Sequence, residues 1–299
     1  RLSSLLERGA RLQPDNLLVE KTATGYSTTT YAAHAVASRA LALALGESGI
    51  TIGDRVATFC WNTNRHLACY HALPLMGAVC HPLNIRLGPT ELAWILKHAD
   101  DRVVIVDAVL LDVFSRIPKE GLADVHTVVV CGVDNASGGW QSTDAAQLLD
   151  GKVSRVVDWD DFLRPHSGAA AEDFARGSST STSSIWLEDI PELAACSMCY
   201  TSGTTGNPKG VLYSHRSTYI HTLAMPAKNH HNLGGEDVIL PVVPYFHANG
   251  WGLPFLALML GARLLHNGRF TDAETILQMA VDWGATYSAA VPAIWATAR

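Results

Sequence analysis

The densest chemistry in this chain lies in eleven residues, Tyr200-Thr201-Ser202-Gly203-Thr204-Thr205-Gly206-Asn207-Pro208-Lys209-Gly210. Four aliphatic hydroxyls, three glycines and one lysine follow an apolar run directly. Glycines let backbone N–H groups come close to an anion, hydroxyls add donors, and a lysine adds a point charge. The composition suits a polyphosphate. The spacing departs from the G-x-x-x-x-G-K-[ST] phosphate loop, because Pro208 precedes Lys209 and Gly210 follows it. A P-loop NTPase is therefore disfavoured.

A second cluster runs from Pro241 through Val242-Val243-Pro244-Tyr245-Phe246-His247-Ala248-Asn249-Gly250-Trp251 to Gly252. A strand stopped by proline and followed by an aromatic, an imidazole, an amide and an indole can line a pocket with apolar walls and polar tips. There His247 can position a carboxylate and Trp251 can wall or gate an apolar channel. The bland alternatives are a hydrogen-bonded core histidine and a packing tryptophan. A third stretch, Ala289-Ala290-Val291-Pro292-Ala293-Ile294-Trp295, also ends a strand at proline. It can form a pocket floor, and taken alone it reads as core.

These segments need a scaffold. Strand-like runs at Arg55 to Cys60, Val103 to Val106, Thr127 to Cys131, Ala194 to Tyr200, Val238 to Val242, Ala262 to Leu265 and Tyr287 to Val291 are short and β-branched. Helical periodicity marks Tyr31 to Glu47, Arg65 to Met76, Thr90 to His98, Ser214 to Ala224 and Ala273 to Trp283. Thr271 is the expected cap of the last, with Glu274 reaching back. Alternation of this kind predicts an α/β layered fold of mostly parallel sheet flanked by helices. The hydroxyl- and glycine-rich loop is then expected between a strand and the Ser214 to Ala224 helix, where open sheets bind anions. Ser178 to Ser184 and its Ala/Gly-rich flank from Ser167 read as a flexible loop, and Asn135 to Gly139 as a second soft region.

Composition narrows the function. With 48% hydrophobic and 17% charged residues over 299 positions, the chain can build a large core. A net charge of −6 without a Lys/Arg run argues against nucleic acid. The apolar stretch Trp251 to Ala262 is too short to span a bilayer. Six scattered cysteines read as core residues of an intracellular protein, and Cys196-Ser197-Met198-Cys199 as strand rather than a redox motif. The histidines show no metal-ligand spacing, and no G-x-S-x-G elbow occurs.

Tyr200 to Gly210 closely resembles the signature phosphate loop of the adenylate-forming superfamily, which includes acyl- and aryl-CoA ligases and the adenylation domains of peptide synthetases. Pro244-Tyr245-Phe246-His247 resembles the next motif, and His247 through Trp251 is most similar to medium- and long-chain fatty acyl-CoA synthetases. Val291 to Trp295, Gly53-Asp54-Arg55-Val56 and Asn84-Ile85-Arg86-Leu87 through Glu91-Leu92 also fit. The resemblance implies a carboxylate–CoA ligase that joins an apolar acid to ATP as acyl-AMP and passes it to CoA. It implies that Thr201, Ser202, Gly203, Thr204, Thr205, Gly206 and Lys209 hold the phosphates, with Lys209 and His247 catalytic. His247, Asn249, Trp251, Val291, Pro292 and Ala293 would line the acid site, and Thr201 is the contact proposed for Mg2+. The expected partners are small molecules, with a homodimer admissible and a cytoplasmic or peroxisomal setting.

Residues 1–299 are expected to be part of the large N-terminal domain of such an enzyme, without its adenine- and ribose-binding elements and its lid. On that expectation the chain alone does not complete adenylation. An aryl-acid ligase or a carrier-protein-loading enzyme is the nearest alternative, although no acidic residue falls between Pro241 and Gly268 to pair a substrate amine. A non-catalytic nucleotide- or acyl-binding remnant is the alternative from another class.

Overall fold

The computed structural model describes residues 1–132, 142–176, 190–201 and 207–297. Ser202 to Gly206, Ser178 to Ser184 and Asn135 to Gly139 lie outside the described residues. In chain order the described strands are β1 (Leu17–Thr22), β2 (Gly25–Thr30), β3 (Arg55–Phe59), β4 (Val79–Pro82), β5 (Asp101–Asp107) and β6 (Thr127–Cys131). They continue with β7 (Arg155–Asp158), β8 (Ala195–Thr201), β9 (Lys209–Ser214), β10 (Val238–Pro241), β11 (Arg263–His266) and β12 (Tyr287–Ala289).

Among the described residues these strands make two sheets, ordered β7-β6-β5-β3-β4-β8-β9 and β12-β10-β11-β1-β2. Every pair is parallel except β8–β9 and β1–β2, which place one reversed strand at an edge of each sheet. The expected, mostly parallel α/β architecture is the one observed.

Alternation along the strands builds the layers, because successive side chains leave opposite faces. Val56, Val103, Ile105 and Val129 face a core shared with Leu18, Ile239 and Leu264 of the smaller sheet. The helices Tyr31–Glu47 and Asn64–Leu75 lie in that shared core. Ala57, Phe59, Val104, Val106 and Val128 face the other way, onto Leu92, Ile95 and Leu96 of the helix Pro89–Ala99. Val19, Leu240 and Leu265 pack under Ile276 and Met279 of the helix Ala273–Trp283. The result is helix, sheet, helix, sheet, helix. The two middle helices are buried on most sides, as a helix between two sheets must be. Both start at a threonine whose Oγ1 accepts a backbone N–H three residues on, Thr30 from Ala33 and Thr63 from His66, each at 3.1 Å.

Two local expectations are corrected. Ser167–Arg176 is a helix and not a flexible loop. Its alanines favour helix, and its last turn docks on buried Arg39, which donates to Asp173 Oδ2 at 3.1 Å and lies 5.1 Å from the Phe174 ring. The helix Ala273–Trp283 is capped by Asp272, whose Oδ1 accepts from Thr275 N–H at 2.8 Å, and not by Thr271. Both residues are good caps, and register decides between them.

Candidate functional site

The segment around the phosphate loop is a hairpin. β8 and β9 pair antiparallel from Ala195–Ser214 to Thr201–Lys209. The expected order of strand, motif and helix holds, with β9 interposed before the helix. The helix His215–Ala224 starts only after β9, where Ser214 Oγ accepts from Ser217 N–H at 3.1 Å. Six strand residues at about 3.3 Å each put that helix N-terminus about 20 Å from the loop end of β8. Its dipole therefore does not serve an anion there. Thr201 and Lys209 are cross-strand partners, so their exposed side chains leave the same face of the hairpin mouth.

Tyr200 fixes the base of this hairpin. It pairs across the strands with Gly210, where an added Cβ would lie 3.2 Å from Tyr200 Cζ and 3.3 Å from Met198 Sδ. Its hydroxyl is 2.6 Å from His98 Nδ1, and the His98 ring stacks on Trp94 at 4.6 Å. Burial pushes the Tyr200 phenol up to about 12, so it stays protonated. Below it, His81 Nδ1 meets Asp101 Oδ2 at 2.8 Å, and burial raises the Asp101 carboxyl against the lowering effect of His81.

The His247 segment is held at Tyr245. Asn62 Nδ2 donates to Pro241 O at 3.0 Å and Val243 O at 2.9 Å, and its Oδ1 accepts from Tyr245 N–H at 2.9 Å. Tyr70 Oη donates to Tyr245 O at 2.5 Å. Tyr245 is thus gripped at its amide, its carbonyl and its hydroxyl, the last at 2.7 Å from His266 Nε2. Two residues later His247 is exposed, and the backbone enters a left-handed turn spanning Ala248 to Gly252. Trp251 is 40% exposed, so its indole stands at the surface and does not fill an interior channel.

This turn touches β8. Asn249 Nδ2 donates to Ser197 Oγ at 2.7 Å. Ser197 and Cys199 share one face of β8, and the face continues to Thr201. One strand face therefore carries the contact to the His247 turn and, about 13 Å further along, the first residue of the phosphate loop. Asn249, expected among the acid-lining residues, gives its amide N–H to a strand. The third stretch joins from the side, since Val242 and Val243 N–H both donate to Ala289 O at 2.9 Å. The core reading holds only in part, because Val291 is 42% exposed beside the short helix Pro292–Thr297 and Trp295 is 39% exposed within it. Pro292 is exposed as well, and the side chain of Ala293 lies outside the described residues. Ala289 is buried, and Ala290 and Ile294 pack toward the core under the Ala273–Trp283 helix.

Sequence reasoning passed over Asn62, His266, Ser197 and His98, and it took Tyr245 only as a motif aromatic. Ser197 had a signal, because a hydroxyl inside a buried strand needs a partner. Cys60, Asp107 and Cys131 also meet at the ends of β3, β5 and β6, within 4.8 Å of one another. Cys131 Sγ donates to Asp107 Oδ1 at 3.1 Å, and Trp61 N–H donates to Asp107 Oδ2 at 2.7 Å. This trio is a satisfied hydrogen-bond cluster. All six cysteines are buried and free, which agrees with their reading as core residues.

The hairpin mouth and the histidine turn follow the carboxyl ends of β8 and β10, where parallel α/β sheets carry their ligand-facing loops. The chain belongs to the AMP-binding enzyme family, whose model matches residues 6–298. It is 35% identical to the medium-chain-fatty-acid–CoA ligase of Ectopseudomonas oleovorans, over 98% of this chain and 49% of that protein. It is 37% identical to the long-chain-fatty-acid–CoA ligase of Thermus thermophilus, over 98% of this chain and 48% of that one. In fold it is similar to an anthranilate CoA ligase in complex with anthranoyl-AMP, with a TM-score of 0.78 at 21% identity over 99% of this chain and 50% of the other. The N-terminal domain of FACL13 from Mycobacterium tuberculosis gives a TM-score of 0.72 at 24% identity, over 100% of this chain and 64% of the other. The chain spans about half the length of the curated relatives it matches. Among the described residues no helix is long and apolar enough to cross a membrane.

Proposed function

We propose that residues 1–299 are part of the large nucleotide-binding domain of an acyl-CoA synthetase that activates a fatty or other apolar carboxylic acid. The observation that carries this is the single β8 face shared by the His247 turn and the entry to the phosphate loop. The fatty-acid specificity of two of its relatives supports the choice of acid. In the first step a carboxylate oxygen attacks the α-phosphorus of ATP, forming acyl-AMP and releasing pyrophosphate. In the second the CoA thiol attacks the acyl carbon, loses its proton and releases AMP.

The residues divide the work. Thr201, Lys209 and the Ser202 to Gly206 segment between them hold the β- and γ-phosphates, and the Lys209 ammonium offsets charge on the leaving pyrophosphate. His247, exposed at the head of its turn, orients the carboxylate toward the α-phosphorus. Trp251 and Val291 to Ala293 supply apolar contact to the chain of the acid. Thr201 Oγ1 is a hard oxygen at an exposed mouth, which fits Mg2+ because that ion keeps several of its waters. When bound, Mg2+ neutralises phosphate charge.

The test is AMP release from a panel of carboxylic acids by the full-length protein with ATP and CoA. Release that peaks with medium or long apolar acids is expected. A peak with benzoate-type acids would shift the reading to an aryl-acid ligase, and no release with any acid would overturn it.

A further inference from the structure

We propose that Asn249 is a positioning residue that, by holding Ser197, locks the His247–Trp251 turn to the strand feeding the phosphate loop, so that the acid side and the phosphate side of the site share one support. This rests on the function proposed above. Residues 248 to 252 all have positive φ: Ala248 43°, Asn249 52°, Gly250 60°, Trp251 56° and Gly252 78°. Alanine and tryptophan disfavour that region, so the surroundings must impose the turn. Asparagine tolerates it best among residues with a side chain that can also donate a hydrogen bond.

The surroundings are specific. Asn249 Nδ2 reaches Ser197 Oγ at 2.7 Å. A Cβ on Gly250 would lie 2.7 Å from Tyr245 Cδ1, and one on Gly252 would lie 2.9 Å from His221 Nδ1. The turn is therefore clamped between the Tyr245 anchor, the helix His215–Ala224 and β8. His247 and Trp251 point outward while Asn249, between them, is 7% exposed. A side chain that reads substrate would face the same way as His247. Asn249 faces the strand, and it acts on substrate through Ser197 and β8.

The substitutions that test this are Asn249→Gly, Ser197→Ala and the double variant. Glycine keeps the left-handed turn accessible and removes only the amide. Affinities for inorganic pyrophosphate with Mg2+ and for decanoate are measured separately, with hydrogen exchange followed in residues 207–214 and 247–252. Each single variant is expected to weaken both ligands by about tenfold, the scale of one lost hydrogen bond. The double variant should be no worse than either single one. Loss of decanoate binding alone in Asn249→Gly, with Ser197→Ala unchanged, would overturn the proposal in favour of direct contact. A lower melting temperature with both affinities intact would also overturn it. If the wild-type protein binds neither ligand, the proposed function fails, and exchange alone decides the positioning. Deprotection of both segments in each single variant supports it, and deprotection confined to 247–252 refutes it.

Discussion

Tyr245 Oη lies 2.7 Å from His266 Nε2, while the opposite ring nitrogen, His266 Nδ1, lies 2.8 Å from Asn64 Oδ1. The imidazole donates through Nδ1 and accepts through Nε2, so it must be neutral for the arrangement to hold. Burial keeps it so, lowering His266 to about 3. The same cause lowers His34 to about 3 and His66 to about 4.

These histidines set an acid limit. Their folded-state values lie below the unfolded value, so below about pH 6.5 the unfolded chain takes up protons that the folded chain refuses. The stability they support is complete above that pH and is lost as pH falls toward their folded values. Each contributes about 1.4 kcal/mol of loss per pH unit in that window. The melting temperature is expected to drop steeply from pH 6.5 to pH 5, and His266→Gln should flatten the slope. A melting temperature independent of pH across that range would contradict this account.

Asn62 should matter more for stability than its loop position suggests. Asn62→Ala leaves Pro241 O, Val243 O and Tyr245 N–H without their partner. At about 1–3 kcal/mol for each buried group left unsatisfied, the three together are expected to cost about 3 kcal/mol or more. Urea unfolding measures it, and a loss under about 1 kcal/mol would show that water or another donor replaces the side chain.

Gly210→Val tests the hairpin base. The new side chain meets Tyr200 Cζ and Met198 Sδ at about their contact limit, and its branches exceed it. Tyr200 should move off His98 and displace the Thr201–Lys209 mouth. Pyrophosphate affinity is expected to fall about tenfold, about 1.4 kcal/mol, with decanoate affinity kept. Equal losses for both ligands would mean that the damage spreads beyond the hairpin.

Trp251→Ala separates packing from selectivity. An indole 40% exposed adds little to the core, so stability should stay within about 0.5 kcal/mol. The acid panel should nevertheless broaden or lose its preference for long chains. An unchanged profile would remove Trp251 from the acid site.

The sequence was most legible where strands are buried on both faces. Val103 to Val106 and Thr127 to Cys131 are runs of β-branched residues, and β5 and β6 form there. β9 was hidden because Lys209-Gly210-Val211-Leu212-Tyr213 begins inside a motif that reads as loop. As an edge strand it keeps Leu212 59% exposed, so the burial that marks other strands is missing. β4 was missed because it is four residues long and ends in proline. β1 and β2 carry Glu20, Lys21 and a threonine run that give no apolar pattern. Of the site, the motif residues were visible as chemistry. Their supports were not identified, because Asn62 and the buried hydroxyl of Ser197 find their partners far away in the chain.

The smaller sheet has a consequence for how the chain is made. β1 lies between β2 and β11, with Leu18 opposite Leu264. During synthesis the free edge of β1 therefore stays open until β11 has emerged from the ribosome. The middle helices, which need both sheets for cover, wait with it. Such delayed closure makes folding slow and leaves an early species with exposed apolar surface, the kind that chaperones bind.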